Sequence, residues 1–250
     1  MFSGAIAVVV MSSILGVMPS FGIKAKPAED STHYVVRIER ATVENMRLDD
    51  TLDIVLDARG HTVGGFVLKV GIESKLVEIT EILPGDLVDS CQWEFFRPVQ
   101  LNTIDREDYL WSLWQITGLS KMSADTTKPM CLGFDRPVSI ARLVVTSAHT
   151  ASISDTTAAV FFYWEDCRDN ALSDESGQIL QVSRRVVDFY PVGLTADPDV
   201  FPSRLGTPRQ CVKPNNPYAP LRTVDFENGG VEFKLKIGEP AADSAETDSL

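Results

Sequence analysis

Alternation of apolar and polar residues with a period of two recurs along this chain, and few folds accommodate it. Tyr34, Val36 and Ile38 alternate with Val35, Arg37 and Glu39, and Leu52, Ile54 and Leu56 with Thr51, Asp53, Val55 and Asp57. The pattern returns at Phe66, Leu68, Val70 and Ile72, at Ala141, Leu143 and Val145, at Val160, Phe162 and Trp164, and at Val231, Phe233, Leu235 and Ile237. Side chains on a strand point alternately to opposite faces, so each stretch specifies a strand with one buried face. Turn formers separate them: Arg59-Gly60, Pro84-Gly85, Ser176-Gly177 and Asn228-Gly229-Gly230. About eight to ten short strands at this spacing predict an all-β protein, a two-sheet antiparallel β-sandwich. Between Asp105 and Leu119 a helical spacing of Leu110, Leu113 and Trp114 competes, but the aromatic and β-branched residues of YLWSLWQIT favour a strand. Ser120–Pro137 and the seven-proline stretch Pro191–Pro220 are expected to be long loops.

With 250 residues and 44% hydrophobic content the chain can bury an ordinary core, and one sandwich domain is expected over residues 31–238. Thirty-five acidic against 23 basic residues give a net charge of −12. Such a surface repels phosphate backbones and anionic lipid, which argues against nucleic-acid or membrane-surface partners. Residues 239–250 hold four acids, no base and little that can pack, and read as a disordered acidic tail. Residues 1–25 read as a secretory signal peptide, uncharged to Ile23 with an apolar run from Ala5 to Met18 and a cleavage point near Gly22 or Ala25. A single membrane anchor is the competing reading. Secretion to the extracellular space or cell surface is the expectation, with no membrane insertion after cleavage.

Cys91, Cys131, Cys167 and Cys211 are even in number, widely spaced and free of the CxxC and Cys-His patterns of zinc sites. In an exported protein they are expected to form disulfides. Three pairings are open, of which Cys91 with Cys131 and Cys167 with Cys211 is preferred, each tying a long loop to the sandwich.

The run VGGFVLKVGI from Val63 to Ile72, the Pro84-Gly85 turn, and the alternation Ile140-Ala141-Arg142-Leu143-Val144-Val145 resemble the motifs of cohesin domains. Cohesins are β-sandwich receptor modules of jelly-roll type that bind dockerin segments and do not catalyse. The resemblance therefore implies a noncatalytic protein-binding module. One element departs from the family: where cohesins commonly carry Tyr-Asp, this chain has Gly71-Ile72-Glu73-Ser74. The back half, through FFYWEDCRDN at Phe161 to Asn170, VVDFY at Val186 to Tyr190 and VDFENGGVEF at Val224 to Phe233, is similar to a group of secreted bacterial proteins. Members of that group often carry a dockerin-like segment next, and no Asp-x-Asn-x-Asp-Gly loop follows Ile237 here.

Catalytic motifs are absent from the sequence. His33, His61 and His149 are scattered among polar neighbours, and no nucleophile elbow, zinc helix or phosphate loop occurs. Glu165 and Asp166 are adjacent on an extended segment and point apart, which does not suit glycoside hydrolysis. The chain is not expected to be an enzyme. Two binding chemistries stand open. Aromatic clusters that include Tyr109, Trp111 and Trp114 could stack a polysaccharide, with Tyr109 and Trp111 on the face opposite Trp114, although most such rings pack cores. A sheet face carrying Val67 and Lys69 is where a dockerin-like protein partner is expected, by analogy of fold. A purely structural role in the envelope is a third reading. No cofactor is expected. Asp166, Asp169, Asn170, Asp174 and Glu175 offer the oxygen donors of a structural calcium site, against the plainer reading of a solvated acidic loop.

Overall fold

The computed structural model describes residues 34–44, 49–73, 77–105, 110–122, 131–147, 157–188, 204–213 and 219–234. The expected signal peptide, the acidic tail, Tyr109, His33 and His149 lie outside these residues. Within the described residues the alternating stretches form strands, while Leu235 and Ile237 lie outside them and Trp164 falls just past the end of its strand. The strands are β1 (Tyr34–Ile38), β2 (Arg40–Glu44), β3 (Asp49–Asp57), β4 (Gly65–Glu73), β5 (Val77–Pro84), β6 (Phe95–Asp105) and β7 (Leu110–Leu119). After these come β8 (Val138–Ser147), β9 (Thr157–Phe162), β10 (Ala171–Ser173), β11 (Leu180–Val187), β12 (Leu221–Glu227) and β13 (Gly229–Lys234). The competition over Asp105–Leu119 is settled for strand, in β6 and β7.

Hydrogen bonding follows the order β2-β13-β9-β4-β10-β11-β12-β1-β3-β8-β5, with β7 along the whole of the other side of β4 and β6 outside β7. This path folds over so that its inward faces share one core. Phe66, Leu68, Val70 and Ile72 of β4 cluster there with Val36 and Ile38 of β1, Leu52, Ile54 and Leu56 of β3, Leu143 and Val145 of β8, and Phe226 of β12. Each such side chain contributes about 1.5–3 kcal/mol by leaving water. The sandwich is thus an all-β structure as expected, with one amendment: three strand pairs, β1–β12, β11–β12 and β13–β2, run parallel. Parallel neighbours need long crossovers, and the chain between β11 and β12 supplies one.

Asn170 closes the gap between β9 and β10 along β4. Its φ is +52°, a left-handed conformation that asparagine tolerates better than most residues. Its side-chain oxygen accepts from the Lys69 N–H at 2.8 Å, and its amide donates to the Tyr163 carbonyl at 2.8 Å. The side chain thereby completes a ladder that the turning backbone leaves open.

One element was not anticipated. Pro84-Gly85 leads into a short helix, α1 (Asp86–Ser90), which buries Leu87 and Val88 in the core. Gly85 is required there, because a Cβ at that position would meet the backbone of Ser139 and Ile140 at 2.5–2.6 Å. Both disulfides form in the preferred pairing, Cys91–Cys131 and Cys167–Cys211. Closing loops of 40 and 44 residues stabilises the fold by about 4 kcal/mol each on a loop-entropy estimate. Trp93 reinforces the first bridge by donating its Nε1–H to the Cys131 carbonyl at 3.3 Å.

Candidate functional site

The aromatic strand residues divide between the two faces of the sheet as alternation requires. Trp114 packs against the main core, whereas Trp111 lies on the outer side of β7 against Phe161 and Tyr163. Gly71 of β4 makes room for this outer cluster, since a Cβ there would sit 2.5 Å from the Phe161 ring. The rings meet edge to face, Trp111 at 67° to Phe161 and 74° to Tyr163. Arg204 then covers them, its guanidinium 3.8 Å from the centre of the Phe161 ring and 5.5 Å from that of Trp111. Burial pulls the Arg204 pKa down, against the opposing charges of Asp188 and Glu73. Cys211, bridged to Cys167, ties the same segment down. Phe161 is fully buried and Tyr163 nearly so. Phe161 and Tyr163 are thus buried and the guanidinium lies over the ring faces of Phe161 and Trp111, so the cluster offers no open row of flat rings on which sugars stack.

The face expected to carry Val67 and Lys69 needs correcting. Val67 is half-buried, but Lys69 is only 6% exposed. Its ammonium lies 2.8 Å from a Glu165 oxygen and 3.0 Å from an Asp169 oxygen. Burial lowers the Lys69 pKa, yet the two carboxylates outweigh it and the net shift is upward. A lysine in the middle of β4 has its charge drawn into the fold because the β9–β10 loop brings two carboxylates to it. Strand alternation alone could not show this, since those acids are about a hundred residues away in sequence.

The same loop answers the calcium expectation. Asp169 accepts from the N–H groups of Glu165 and Asp166 at 2.6 and 2.9 Å in addition to holding Lys69. Asp166 accepts from the Arg168 N–H, and Asp174 accepts from Ile179 N–H and the Ser176 hydroxyl. Burial raises the Asp174 pKa, but these bonds together hold its carboxyl below the usual value. The carboxylates of Asp166, Asp169 and Asp174 and the side chain of Asn170 are thus committed to backbone groups and to an ammonium. Among the described residues no group of three or more His, Cys, Asp or Glu side chains is arranged to hold a metal.

A different face has the character of a binding surface. On the outer side of β5, β8, β3, β1 and β12, cross-strand registers set up four rows. Leu83, Arg142 and Asp53 form one, and Glu81, Val144 and Thr51 the next. Ser139, Val55, Arg37 and Glu227 form the third, and Asp57, Val35, Asp225 and Arg185 the fourth. Leu83 and Val144 lie half-buried among charges of both signs, while Val35 and Val55 are buried between charged residues. Two arginine sets brace the surface. Arg142 bonds Asp86 of α1 and lies 3.6 Å from Asp53. Asp225, almost fully buried, accepts from Arg184 at 2.9 Å and Arg185 at 3.1 Å. Burial raises the Asp225 pKa, but the two guanidiniums outweigh it and hold the carboxyl below its usual value. A groove of about 410 Å³ opens beside these rows, between Arg37, Asp53 and Val55 on the sheet and Phe134, Arg136 and Asp86 on its rim. None of these residues stands out in the sequence, because each is an ordinary position on the outward face of an alternating strand or on a loop. The only signal was the alternation itself, which leaves their shared face to be set by strand order.

No family model matches the sequence, and no curated protein matches it. Several solved structures do. The chain is similar to a cohesin of OlpA in a cohesin–dockerin complex from Clostridium thermocellum, at 12% identity and TM-score 0.45, over 80% of this chain and 99% of that one. It is similar to the sixth cohesin of scaffoldin B from Acetivibrio cellulolyticus, in complex with a dockerin, at 12% identity and TM-score 0.43, over 81% and 100%. It is also similar to a non-cellulosomal cohesin from Archaeoglobus fulgidus, at 9% identity and TM-score 0.40, over 80% and 91%.

Proposed function

We propose that this chain is a noncatalytic binding module that takes a protein partner on the outer face of β5, β8, β3, β1 and β12. The observation that carries the reading is the makeup of that face. A regular sheet surface, with charges of both signs around the half-buried Leu83 and Val144 and a groove at its edge, suits a mixed apolar and polar protein interface. A glycan platform would need flat exposed rings, and Arg204 lies over the ring of Trp111. The motif resemblance at Gly65-Phe66, Pro84-Gly85 and Ile140–Val145 points to a dockerin-like segment as the partner. Two disulfides support an oxidising, extracellular setting. Among the described residues no helix is long and apolar enough to cross a membrane.

The test is calorimetric titration of the full chain with purified dockerin segments and, separately, with soluble cellulose and xylan oligosaccharides. Saturable binding to a dockerin and none to the sugars is expected. Binding to the sugars alone would overturn the reading.

A further inference from the structure

The arginines at the groove beside Arg37 and Asp53 are in two different states. Arg142 takes up Asp53 and Asp86, two of the three acids that line it. Arg37 and Arg136 line the groove as well, and among the described residues neither guanidinium makes a hydrogen bond or an ion pair. For Arg37 this holds although Glu227 stands directly across from it in the β1–β12 register. Two unpaired cations in one groove run against the charge balance of a chain that carries a net −12.

Both arginines project from anchored backbone. Arg37 belongs to β1, which is paired on both sides, with β3 and with β12. The loop that carries Arg136 is tied down before it: Cys131 is bridged to Cys91, the Leu132 carbonyl accepts from the Val63 N–H at 2.7 Å, and Phe134 packs against the core. Immediately after Arg136, Pro137 fixes the backbone into β8. A guanidinium stays charged at any ordinary pH, and its planar fork matches a carboxylate. Holding it in place beforehand lowers the entropy lost when it pairs. Phe134, Val55 and Val138 line the same groove, so the group that brings the carboxylate meets apolar surface too. Glu39 is the third acid of the lining, and its carboxylate has no partner among the described residues. It opposes any second negative charge that enters.

The inference rests on this face being the protein-docking surface. We propose that the groove reads an acidic side chain of the partner, a glutamate or aspartate flanked by aliphatic residues, whose carboxylate pairs with Arg37 and Arg136. Glu39 then sets the selectivity: a single acid among aliphatic residues fits, and a run of acids is repelled.

The experiment is NMR of the arginine Nε–H groups in the full chain, titrated with the peptide acetyl-Val-Glu-Val-amide and with acetyl-Val-Gln-Val-amide. For so small a ligand a dissociation constant on the order of a millimolar is expected, with shifts at Arg37 and Arg136. Arg97 and Arg168, which also make no ion pair among the described residues but lie on other surfaces, serve as the control for unspecific attraction. Arg37→Gln combined with Arg136→Gln should weaken binding about fivefold, and Glu39→Gln should strengthen it about twofold, the range of exposed ion pairs. No shift at Arg37 and Arg136, equal shifts at Arg97 and Arg168, or equal affinity for the Glu and Gln peptides would overturn the proposal. If a dockerin binds this face while the Glu peptide leaves both arginines unmoved, this inference alone fails. If the peptide binds as expected and no dockerin does, the reading of the partner fails and the preference of the groove for a carboxylate stands.

Discussion

The ammonium of Lys69 lies 3.0 Å from the carboxylate of Asp169, and both side chains are less than a tenth exposed. This pair joins the central strand β4 to the loop that carries Cys167 and Arg168. Removing one partner of a buried pair leaves the other charged without compensation, which is worse than losing both. Lys69→Met should therefore lower stability by about 3 kcal/mol, and Lys69→Met combined with Asp169→Asn by less than the single change. Denaturant unfolding of the three proteins measures this.

Arg204 lies over Trp111, and the Cys167–Cys211 bridge anchors the segment that carries Arg204. Replacing both cysteines by serine should lower stability by about 4 kcal/mol. It should also raise acrylamide quenching of tryptophan fluorescence. The gain should disappear when Trp111→Phe is added, since Trp93 and Trp164 are buried and Trp114 packs on the main core.

Gly71→Ala should destabilise the fold by about 1–3 kcal/mol, because the added methyl meets the Phe161 ring in a cluster with no slack. Thermal melts of Gly71→Ala alone and with Phe161→Leu should show partial recovery in the double variant.

The response to acid follows from Asp174 and Asp225, whose carboxyls are held below their ordinary value of 3.8. A depressed carboxylate contributes stability that is fully present above the unfolded value and lost as pH falls through the folded one. Lys69, raised above 10.5, contributes in the opposite sense: its share is fully present below 10.5 and is lost only as pH rises through the higher folded value. The melting temperature should thus change little across neutral pH and fall below about pH 4. Asp225→Asn should lower the plateau and flatten that acid fall.

The core was legible in the sequence because alternation is local. Phe66, Leu68, Val70 and Ile72 share a buried face on β4 for the reason their spacing suggested, and Trp111 and Trp114 take opposite sides as two residues three apart on a strand must. Lys69 broke the pattern because its partners arrive through a loop far along the chain. The parallel pairing of β12 with β1 and β11 was equally invisible, since register between distant strands is set by the whole sandwich. The surface of Arg37, Asp53 and Val55 escaped notice for the same reason: strand order, which no single stretch encodes, makes them neighbours.

The proposed docking of a partner on the outer face of β3 and β1 is tested by reversing charge there, with Arg37→Glu and Asp53→Arg in the full chain, and measuring affinity for a dockerin that binds the unaltered protein. At least a tenfold loss is predicted, about 1.4 kcal/mol, while Trp111→Ala leaves affinity unchanged. Unchanged affinity in the charge-reversed, folded protein, with loss on Trp111→Ala, would contradict the account.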